Sequence, residues 1–171
     1  MEQSVGQRVT HVNLRHHGFT LVELMVVVGI IAILSLLMLP SYLDKFTRDQ
    51  ITEALALAEI AKAPVARLWS TTQSFPADNA SAGLPSADKI VSNYVSSVAI
   101  SSGAINVTFG NRANSVIKGK VLTLRPAVVT DAAIVPVAWI CGGAPIPDKM
   151  TVNGENKTNI PVAYLPLGCR P

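Results

Sequence analysis

The stretch Gly18–Pro40, GFTLVELMVVVGIIAILSLLMLP, decides the architecture of the chain, because it is apolar from Leu24 to Leu39 except for one serine. As an α-helix, Phe19 to Leu39 reaches about 32 Å, which is close to the hydrocarbon thickness of a bilayer. A segment of this kind needs a membrane or a crowded helical core to cover it. Glu23 is the exception, since a carboxylate in a membrane helix costs on the order of 3 kcal/mol and usually has a partner.

Two further interpretations of this stretch stay open. A secretory signal peptide has a small-residue cleavage site after its apolar run, and the sequence PSYLD that starts at Pro40 offers no A-x-A pattern. A single-pass anchor explains the length but gives Glu23 no role. Arg8 and Arg15 precede the run, so the positive-inside rule keeps this end in the cytoplasm and sends the bulk of the chain across the membrane.

The N-terminus resembles the type IV pilin signature: a basic leader ending in Gly18, then Phe-Thr-Leu, a hydrophobic residue, Glu23 and a long apolar helix that closes at a proline. In that family a prepilin peptidase/N-methyltransferase cuts after the glycine, which implies processing between Gly18 and Phe19 and methylation of the new amino terminus. The family also implies assembly through Phe19 and Glu23, because the carboxylate meets the N-terminal ammonium of a neighbouring subunit. The plainer alternative is a glutamate that snorkels toward the headgroups.

Composition limits the classes of function. The formal charge of +3 is small for a nucleic-acid-binding protein, and the hydrophobic content of 49% reflects the single apolar run. All three histidines precede Gly18, so a cleaved chain lacks the commonest catalytic base and metal ligand. With no phosphate-binding loop or dense carboxylate pair either, we expect no enzyme, no cofactor and no metal site.

Cys141 and Cys169 form an even pair near the C-terminus. In a chain with an export-type N-terminus they favour a disulfide over a two-cysteine metal site. The sequences around them, Trp139–Gly142 and Tyr164–Arg170, resemble the C-terminal disulfide loop of major pilins, which implies a bridge from Cys141 to Cys169. The resemblance therefore extends across nearly the whole chain, and it disfavours a pseudopilin of a secretion system, which usually lacks this loop.

Beyond the apolar run the sequence stays helical to about Trp69 and becomes amphipathic. Pro40 and Pro64 predict kinks, because proline removes a backbone donor and clashes with the preceding turn. The Ser-, Pro- and Gly-rich residues 70–86 predict a surface loop, either a linker or the exposed variable loop of pilins. The apolar stripe consists of Ile51, Leu55, Ala58, Ala61, Val65 and Leu68.

Four short strands are predicted after this loop. Val95–Ile100 and Ala104–Phe109 flank Ser101-Ser102-Gly103, a candidate three-residue hairpin loop, and Val121–Arg125 and Val135–Cys141 complete the set. One long helix and four strands predict an α+β fold whose helix covers one sheet face, with the other face free to meet solvent. The resemblance implies the same long helix on a four-stranded antiparallel sheet. The expected segments are a cleaved leader at 1–18, a helix at 19–69 with its apolar half at 19–40, a loop at 70–94, the sheet at 95–141 and the disulfide-bounded loop at 142–171.

The resemblance implies a structural subunit of a type IV pilus, a helical filament of identical copies with the apolar helices in its core. Such a subunit waits in the bacterial inner membrane, meets the pilus assembly machinery there, and then serves adhesion to a host surface, twitching motility and DNA uptake in an extracellular pilus. The alternative is a minor or DNA-receptor pilin with an exposed basic patch, although a solvated face explains the same residues. The candidate DNA-binding residues are Arg112, Lys118, Lys120 and Arg125, which lie within fourteen positions.

Overall fold

The structure, a computed structural model, describes residues 18–171, so the leader expected at 1–18 lies outside the described residues except for Gly18. The side chains at 37–43 are also outside the described part. The chain divides into two compact units, one ending at Leu39 and the other spanning Pro40–Pro171. A single helix assignment, α1, covers Leu21–Thr72 and contributes residues to both units.

The C-terminal end of α1 lies three residues beyond the expected boundary at 69. Gln73 ends the helix with a left-handed φ of 51°, and its N–H donates to the Trp69 carbonyl at 2.9 Å. This is a common way to satisfy a carbonyl of the last turn. The helix assignment also continues through Pro40 and Pro64, so neither proline ends α1, and a kink at either position stays a prediction.

The unit that ends at Leu39 contains the N-terminal part of α1. Its described side chains are exposed from Phe19 to Leu36. The hydroxyl of Ser35 donates to the Ile31 carbonyl at 2.7 Å, so the one polar side chain in the second half of this segment is satisfied within the helix. Among the residues whose placement is described, no helix combines the length and the apolar character that crossing a membrane requires.

The unit Pro40–Pro171 contains one antiparallel sheet of five strands, with β3 at its centre. The strands in order across the sheet are β1, β2, β3 and β4, and β5 also pairs with β3. Ala127 pairs with both Ala138 of β4 and Val152 of β5, so β5 continues the sheet on the β2 side of β3. The strands are β1 (Val95–Ser101), β2 (Ala104–Phe109), β3 (Val121–Val128), β4 (Ala138–Cys141) and β5 (Thr151–Val152).

Three strand boundaries differ from the predicted ones, and β5 was not predicted. β1 ends at Ser101 rather than Ile100. β3 continues through Pro126, whose carbonyl still accepts a hydrogen bond from the Asn153 N–H at 2.9 Å. Proline is tolerated in a strand where its missing N–H is not needed. β4 begins at Ala138 rather than Val135, because the N–H of Val135 donates to the Ala132 carbonyl in a turn. β5 has two residues, which is too short for a period-2 pattern to be visible in the sequence.

The β1–β2 hairpin has a two-residue turn, not the predicted three-residue loop. Ser101 pairs directly with Ala104, and the residues between them, Ser102 and Gly103, both have positive φ angles of 49° and 80°. Positive φ at both central residues is the geometry of the turns that match the right-handed twist of a hairpin. At Gly103 an added Cβ would lie 2.8 Å from Phe75, so this position accepts no side chain without movement of the loop.

The core lies between the second half of α1 and one face of the sheet. The predicted stripe is buried at its centre, whereas Leu55 and Leu68 are half-buried at its margins. Ala54 belongs to the stripe although it was not predicted. The small alanine side chains let the helix approach the sheet closely. The buried core includes Ile51, Ala54, Ala58, Ala61 and Val65 of α1 and Val95, Val98, Ile105, Val107, Phe109, Leu122 and Leu124 of the sheet.

The other face of the sheet is covered at its centre, where solvent was predicted. Asn106 and Thr123 are a directly opposed pair on β2 and β3, and both are buried. The Thr123 hydroxyl donates to Asn106 Oδ1 at 2.8 Å, and the Lys157 N–H donates to that hydroxyl at 3.1 Å. The C-terminal segment therefore supplies hydrogen bonds to a buried polar pair that an open sheet face would leave to water.

Candidate assembly site

Thr20 precedes the first residue of α1 and caps its N-terminus. The backbone N–H of Glu23 donates to the Thr20 hydroxyl at 3.2 Å, which satisfies one of the free donors of the first turn. The Thr-x-x-Glu spacing from Thr20 to Glu23 is the sequence pattern of a capping box. Sequence reasoning missed Thr20, although this spacing was available to identify it.

Glu23 lies in the first turn of α1 with its side chain exposed. A negative charge at a helix N-terminus is favoured by the helix dipole, typically by about 0.3 to 1 kcal/mol. Within residues 18–171 the carboxylate has neither a hydrogen bond nor an ion pair; only its backbone N–H is engaged. Among the described residues, Glu23 thus has an unpartnered carboxylate at the start of an apolar helix.

The apolar side chains around Glu23 are exposed too. Phe19 is 79% exposed, Leu21 is 74% exposed and Leu36, near the other end of the segment, is 71% exposed. Soluble monomers rarely expose contiguous apolar patches larger than a few hundred square ångströms. Lipid or other protein chains must therefore cover this segment.

The disulfide implied by the family resemblance is present. Cys141 at the end of β4 is bonded to Cys169 in a short 3₁₀ helix, Leu167–Cys169, and both cysteines are buried. The backbone around the bridge is also tied together, because the Gly143 N–H donates to the Cys169 carbonyl at 3.1 Å. The bridge holds the C-terminal loop, residues 142–168, against the end of β4.

The C-terminal loop also contacts α1. The guanidinium of Arg48 donates to the Ala163 carbonyl at 2.9 Å. Leu165 of the loop is buried and belongs to the main core. Helix, loop and bridge therefore form one packed arrangement within the unit Pro40–Pro171.

The segment between α1 and β1 is packed against the sheet through Asn79. The Asn79 side-chain amide donates to the Val98 carbonyl at 3.0 Å, and its Oδ1 accepts from the Ile100 N–H at 2.7 Å. Val98 and Ile100 lie on β1, an edge strand, so Asn79 occupies the hydrogen-bonding position of a further strand. A third bond to the Pro85 carbonyl at 3.0 Å uses the remaining amide proton.

This arrangement has two consequences. Unpaired donors and acceptors on an edge strand are a template for aggregation, and Asn79 covers part of that edge. Asn79 also begins an Asn-Ala-Ser glycosylation sequon, but its side chain is buried and both amide protons are hydrogen-bonded. Sequence reasoning gave no role to Asn79, and no local pattern identifies it, because its partners on β1 are about twenty residues away.

The four basic residues predicted as a DNA-binding patch are not in equivalent surroundings. Arg112 and Lys118 are exposed in the loop between β2 and β3, and Lys120 is half-buried at the end of that loop. Arg125 lies on β3, where its guanidinium donates to the Gly142 carbonyl at 3.3 Å and its buried Nε has no acceptor among the described residues. Arg125 is thus engaged within the domain, and DNA binding by this group stays a prediction.

Two exposed aspartates have lowered pKa values for local reasons. The Asp78 carboxylate accepts bonds from the backbone N–H of Ser81 at 2.8 Å and from its hydroxyl at 2.7 Å, and these bonds hold the pKa of Asp78 below its ordinary value. The Ser86 hydroxyl lowers the pKa of Asp88 in the same way. The bonds of Asp78 order a turn in the segment between α1 and β1.

The structure combines an exposed apolar N-terminal helix with an α+β domain that contains a disulfide. This combination defines a class of protein, the exported subunit whose helix is covered when it associates with lipid or with other protein chains. Two known families match this chain, one described as Pilin (bacterial filament) over residues 47–170 and one as Prokaryotic N-terminal methylation motif over residues 13–39. The chain belongs to the type IV pilin family and is a structural subunit of a type IV pilus.

Individual relatives agree with this assignment. A "Fimbrial protein" of Neisseria meningitidis serogroup A / serotype 4A is 36% identical over 168 residues, which cover 92% of this chain and 96% of the relative. A "Type IV major pilin protein PilE" of Neisseria gonorrhoeae is 36% identical over 165 residues, with the same coverage. The "Fimbrial protein EcpC" of Eikenella corrodens is 35% identical over 158 residues, 90% of each chain.

Family membership has general consequences for this chain. Pilins are structural proteins rather than enzymes, and they assemble into filaments after processing by a prepilin peptidase at the membrane. The methylation motif at residues 13–39 covers the predicted processing position. The protein is accordingly a component of an extracellular pilus after membrane processing.

Proposed function

We propose that this protein is a major pilin, cut between Gly18 and Phe19 by the prepilin peptidase/N-methyltransferase and methylated at the new amino terminus. It waits in the bacterial inner membrane until the pilus assembly machinery adds it to the base of the filament. The matched methylation motif and the relatives named as major pilins support this proposal. Adhesion to a host surface and twitching motility are the roles of the assembled filament.

The observation that carries the assembly mechanism is the unpartnered Glu23 carboxylate at the start of an exposed apolar helix. In a filament core this charge is removed from water, which is costly unless a positive charge compensates it. The ammonium group of Phe19 on a neighbouring copy supplies that charge. Pairing then brings each incoming subunit into axial register, because an unpaired carboxylate in the core is strongly disfavoured.

Two variants in a strain without a wild-type copy test this mechanism. Glu23→Leu removes an expensive polar group from the apolar segment, so a simple membrane anchor tolerates the change or gains from it. Glu23→Gln keeps the shape of the side chain but removes its charge. We expect both variants to be processed and inserted into the membrane normally but to form no filaments.

The assay combines electron microscopy of surface filaments with mass spectrometry of the processed subunit. Thr20→Ala serves as a control, because it weakens the helix cap without removing the charge. Abundant filaments from the Glu23→Leu strain are incompatible with the pairing mechanism. A mature chain that begins anywhere other than a methylated Phe19 contradicts the proposed processing site.

A second candidate role is DNA capture by the filament surface, supported by the exposed positions of Arg112 and Lys118. Binding of this kind depends on phosphate contacts and weakens steeply as salt rises. The test compares two samples of sheared filaments, one wild type and one carrying both Arg112→Gln and Lys118→Gln. The affinity of each sample for a DNA duplex is measured over a series of salt concentrations. Equal affinity of the two samples excludes these residues from a DNA site.

A further inference from the structure

Two arginines from distant parts of the chain converge on one backbone oxygen. Arg48, on α1, donates from Nη2 to the Ala163 carbonyl at 2.9 Å, and Arg170 reaches the same oxygen from its own Nη2 at 3.5 Å. The two nitrogens are therefore no farther apart than the sum of these distances. Two positive charges share one neutral acceptor, and we call Arg48 and Arg170 the arginine pair.

The arginine pair has no carboxylate partner among residues 18–171. The ion pairs in that part of the chain join Lys62 with Glu59 and Lys157 with Glu155. Each guanidinium carries five N–H donors. Within the described part of the chain, the one further hydrogen bond of the pair runs from Arg170 Nε to the Leu165 carbonyl at 2.8 Å. Most donors of the pair are thus available to another molecule, since Arg48 is exposed and Arg170 is half-buried.

The fold holds both arginines in place. Arg170 directly follows Cys169, which is bonded to Cys141, and its Nε is bound to Leu165, which is 2% exposed. Arg48 lies on α1 and is fixed by its bond to the loop. Two like charges held close together repel each other, and a carboxylate between them removes that repulsion while accepting short, charge-assisted hydrogen bonds from both.

We propose that the arginine pair binds a carboxylate of a neighbouring copy of this chain, supplied by Asp49 or Glu53 on α1. Both acids are exposed, and neither takes part in an ion pair within the described residues. With about 100° per residue, they lie on the side of α1 opposite the buried stripe. Phe46 and Ile60, 46% and 53% exposed, lie on that same side, so this face combines apolar and acidic groups.

The positions of the two patches favour a contact between copies over one within a copy. Arg48 lies about 100° around the helix from Asp49, so the arginine pair and the acidic face occupy different surfaces. A contact between two different patches of identical molecules is heterologous, and it forms an open helical array when the rotation between copies does not close into a ring. The inference rests on the assembly of copies into a filament and adds a polar contact between their globular domains.

Asp44 is the acid of the same copy that competes for the arginine pair, because it lies four residues before Arg48 on the same face of α1.

A cross-linking experiment on intact filaments identifies the acid. Filaments built entirely from an Arg170→Lys variant carry an amine at this position, which a zero-length carbodiimide reagent joins to a carboxylate in contact with it. We expect covalent multimers, with peptide mapping that finds position 170 linked to Asp49 or Glu53. Linkage to Asp44 in a monomer band, or filaments with no cross-link at position 170, overturns the proposal.

A charge-exchange experiment tests the same contact by function. Arg170→Glu in the full-length chain should lower the yield of surface filaments at least tenfold, whereas Lys89→Glu, the same charge change at an exposed site elsewhere, should not. Adding Arg48→Glu, Asp49→Arg and Glu53→Arg to Arg170→Glu should restore the yield, because every charge of the proposed contact is then reversed and the attraction is recovered.

Folding of each variant is checked before assembly is scored. Protease resistance and an oxidised disulfide in the membrane-held subunit show whether Arg170→Glu still folds. A folded Arg170→Glu variant with wild-type yield, or a folded quadruple variant that stays without filaments, refutes the contact. If Arg170→Glu does not fold, the cross-linking experiment alone determines whether the arginine pair contacts Asp49 or Glu53 of a neighbouring copy. All of these variants retain Glu23, so failure of the pairing at the N-terminus is scored separately.

Discussion

Replacing Asn79 with alanine tests the packed segment between α1 and β1. The change removes two donated bonds, to Pro85 and Val98, and one accepted bond, from Ile100. The side chain is 8% exposed, so water does not simply replace it. The Ile100 N–H and the Val98 carbonyl then face outward from the edge strand without a partner.

The magnitude follows from the number of bonds and their burial. Each ordinary hydrogen bond contributes about 1 kcal/mol net, and a buried group left unsatisfied costs about 1 to 3 kcal/mol. Water at the exposed edge of β1 hydrogen-bonds to some of the groups left without a partner, which lowers the total cost. We therefore expect Asn79→Ala to reduce the free energy of unfolding by about 3 kcal/mol, which is a large part of the 5 to 15 kcal/mol that is typical of a domain.

The assay is urea denaturation of the compact unit Pro40–Pro171 with its disulfide intact, followed by circular dichroism. The urea midpoint should fall while the slope of the transition stays unchanged. Asn156→Ala is the matched control, because Asn156 is exposed and also donates to a carbonyl, that of Gly142 at 2.9 Å. The control should cost less than about 1 kcal/mol.

One result refutes the reasoning about Asn79. If Asn79→Ala and Asn156→Ala lower the unfolding free energy equally, the Asn79 amide is not held against β1 in solution. Asn79→Asp sharpens the comparison, since aspartate keeps the acceptor for Ile100 but loses both donors and introduces a charge at a buried position. It should destabilise the domain at least as much as alanine does.

Three further predictions concern the same domain. Replacing Cys141 with serine opens the loop, whose ends are 28 residues apart, and should lower the free energy of unfolding by about 3 to 4 kcal/mol in urea denaturation. Gly103→Ala should cost about 2 kcal/mol in the same assay, because the backbone φ at this position is 80° and the new Cβ lies 2.8 Å from Phe75. Hydrogen bonds from Ser81 lower the pKa of Asp78 from 3.8. The contribution of Asp78 to stability is therefore present above pH 3.8 and is lost as the pH falls through the pKa of the folded state. Ser81→Ala should move the pKa of Asp78, measured by NMR titration, back toward 3.8.

Local patterns in the sequence predicted much of this fold. The apolar run at 19–40 indicates a helix through its length, and the stripe from Ile51 to Leu68 does so through its spacing. β2 was predicted with its observed limits, Ala104–Phe109. The N-terminal motif indicated the family, and the comparisons confirmed it. These features are readable because each depends on residues within one or two turns, or within one strand, of each other.

Tertiary structure decided the features that depend on residues far apart in the chain. Whether Arg125 is a surface charge or an interior donor depends on Gly142, which its own strand does not contain. The convergence of Arg48 and Arg170 on one oxygen requires a helix, a loop and a disulfide to meet across 115 residues. Sequence periodicity indicates which side of a helix or strand is buried, but it does not indicate which distant backbone atom a side chain contacts on that side. The sequence by itself determined that this chain is a helix-led, exported pilin, and only the folded domain determined which of its polar groups are already paired and which remain available to a neighbouring copy.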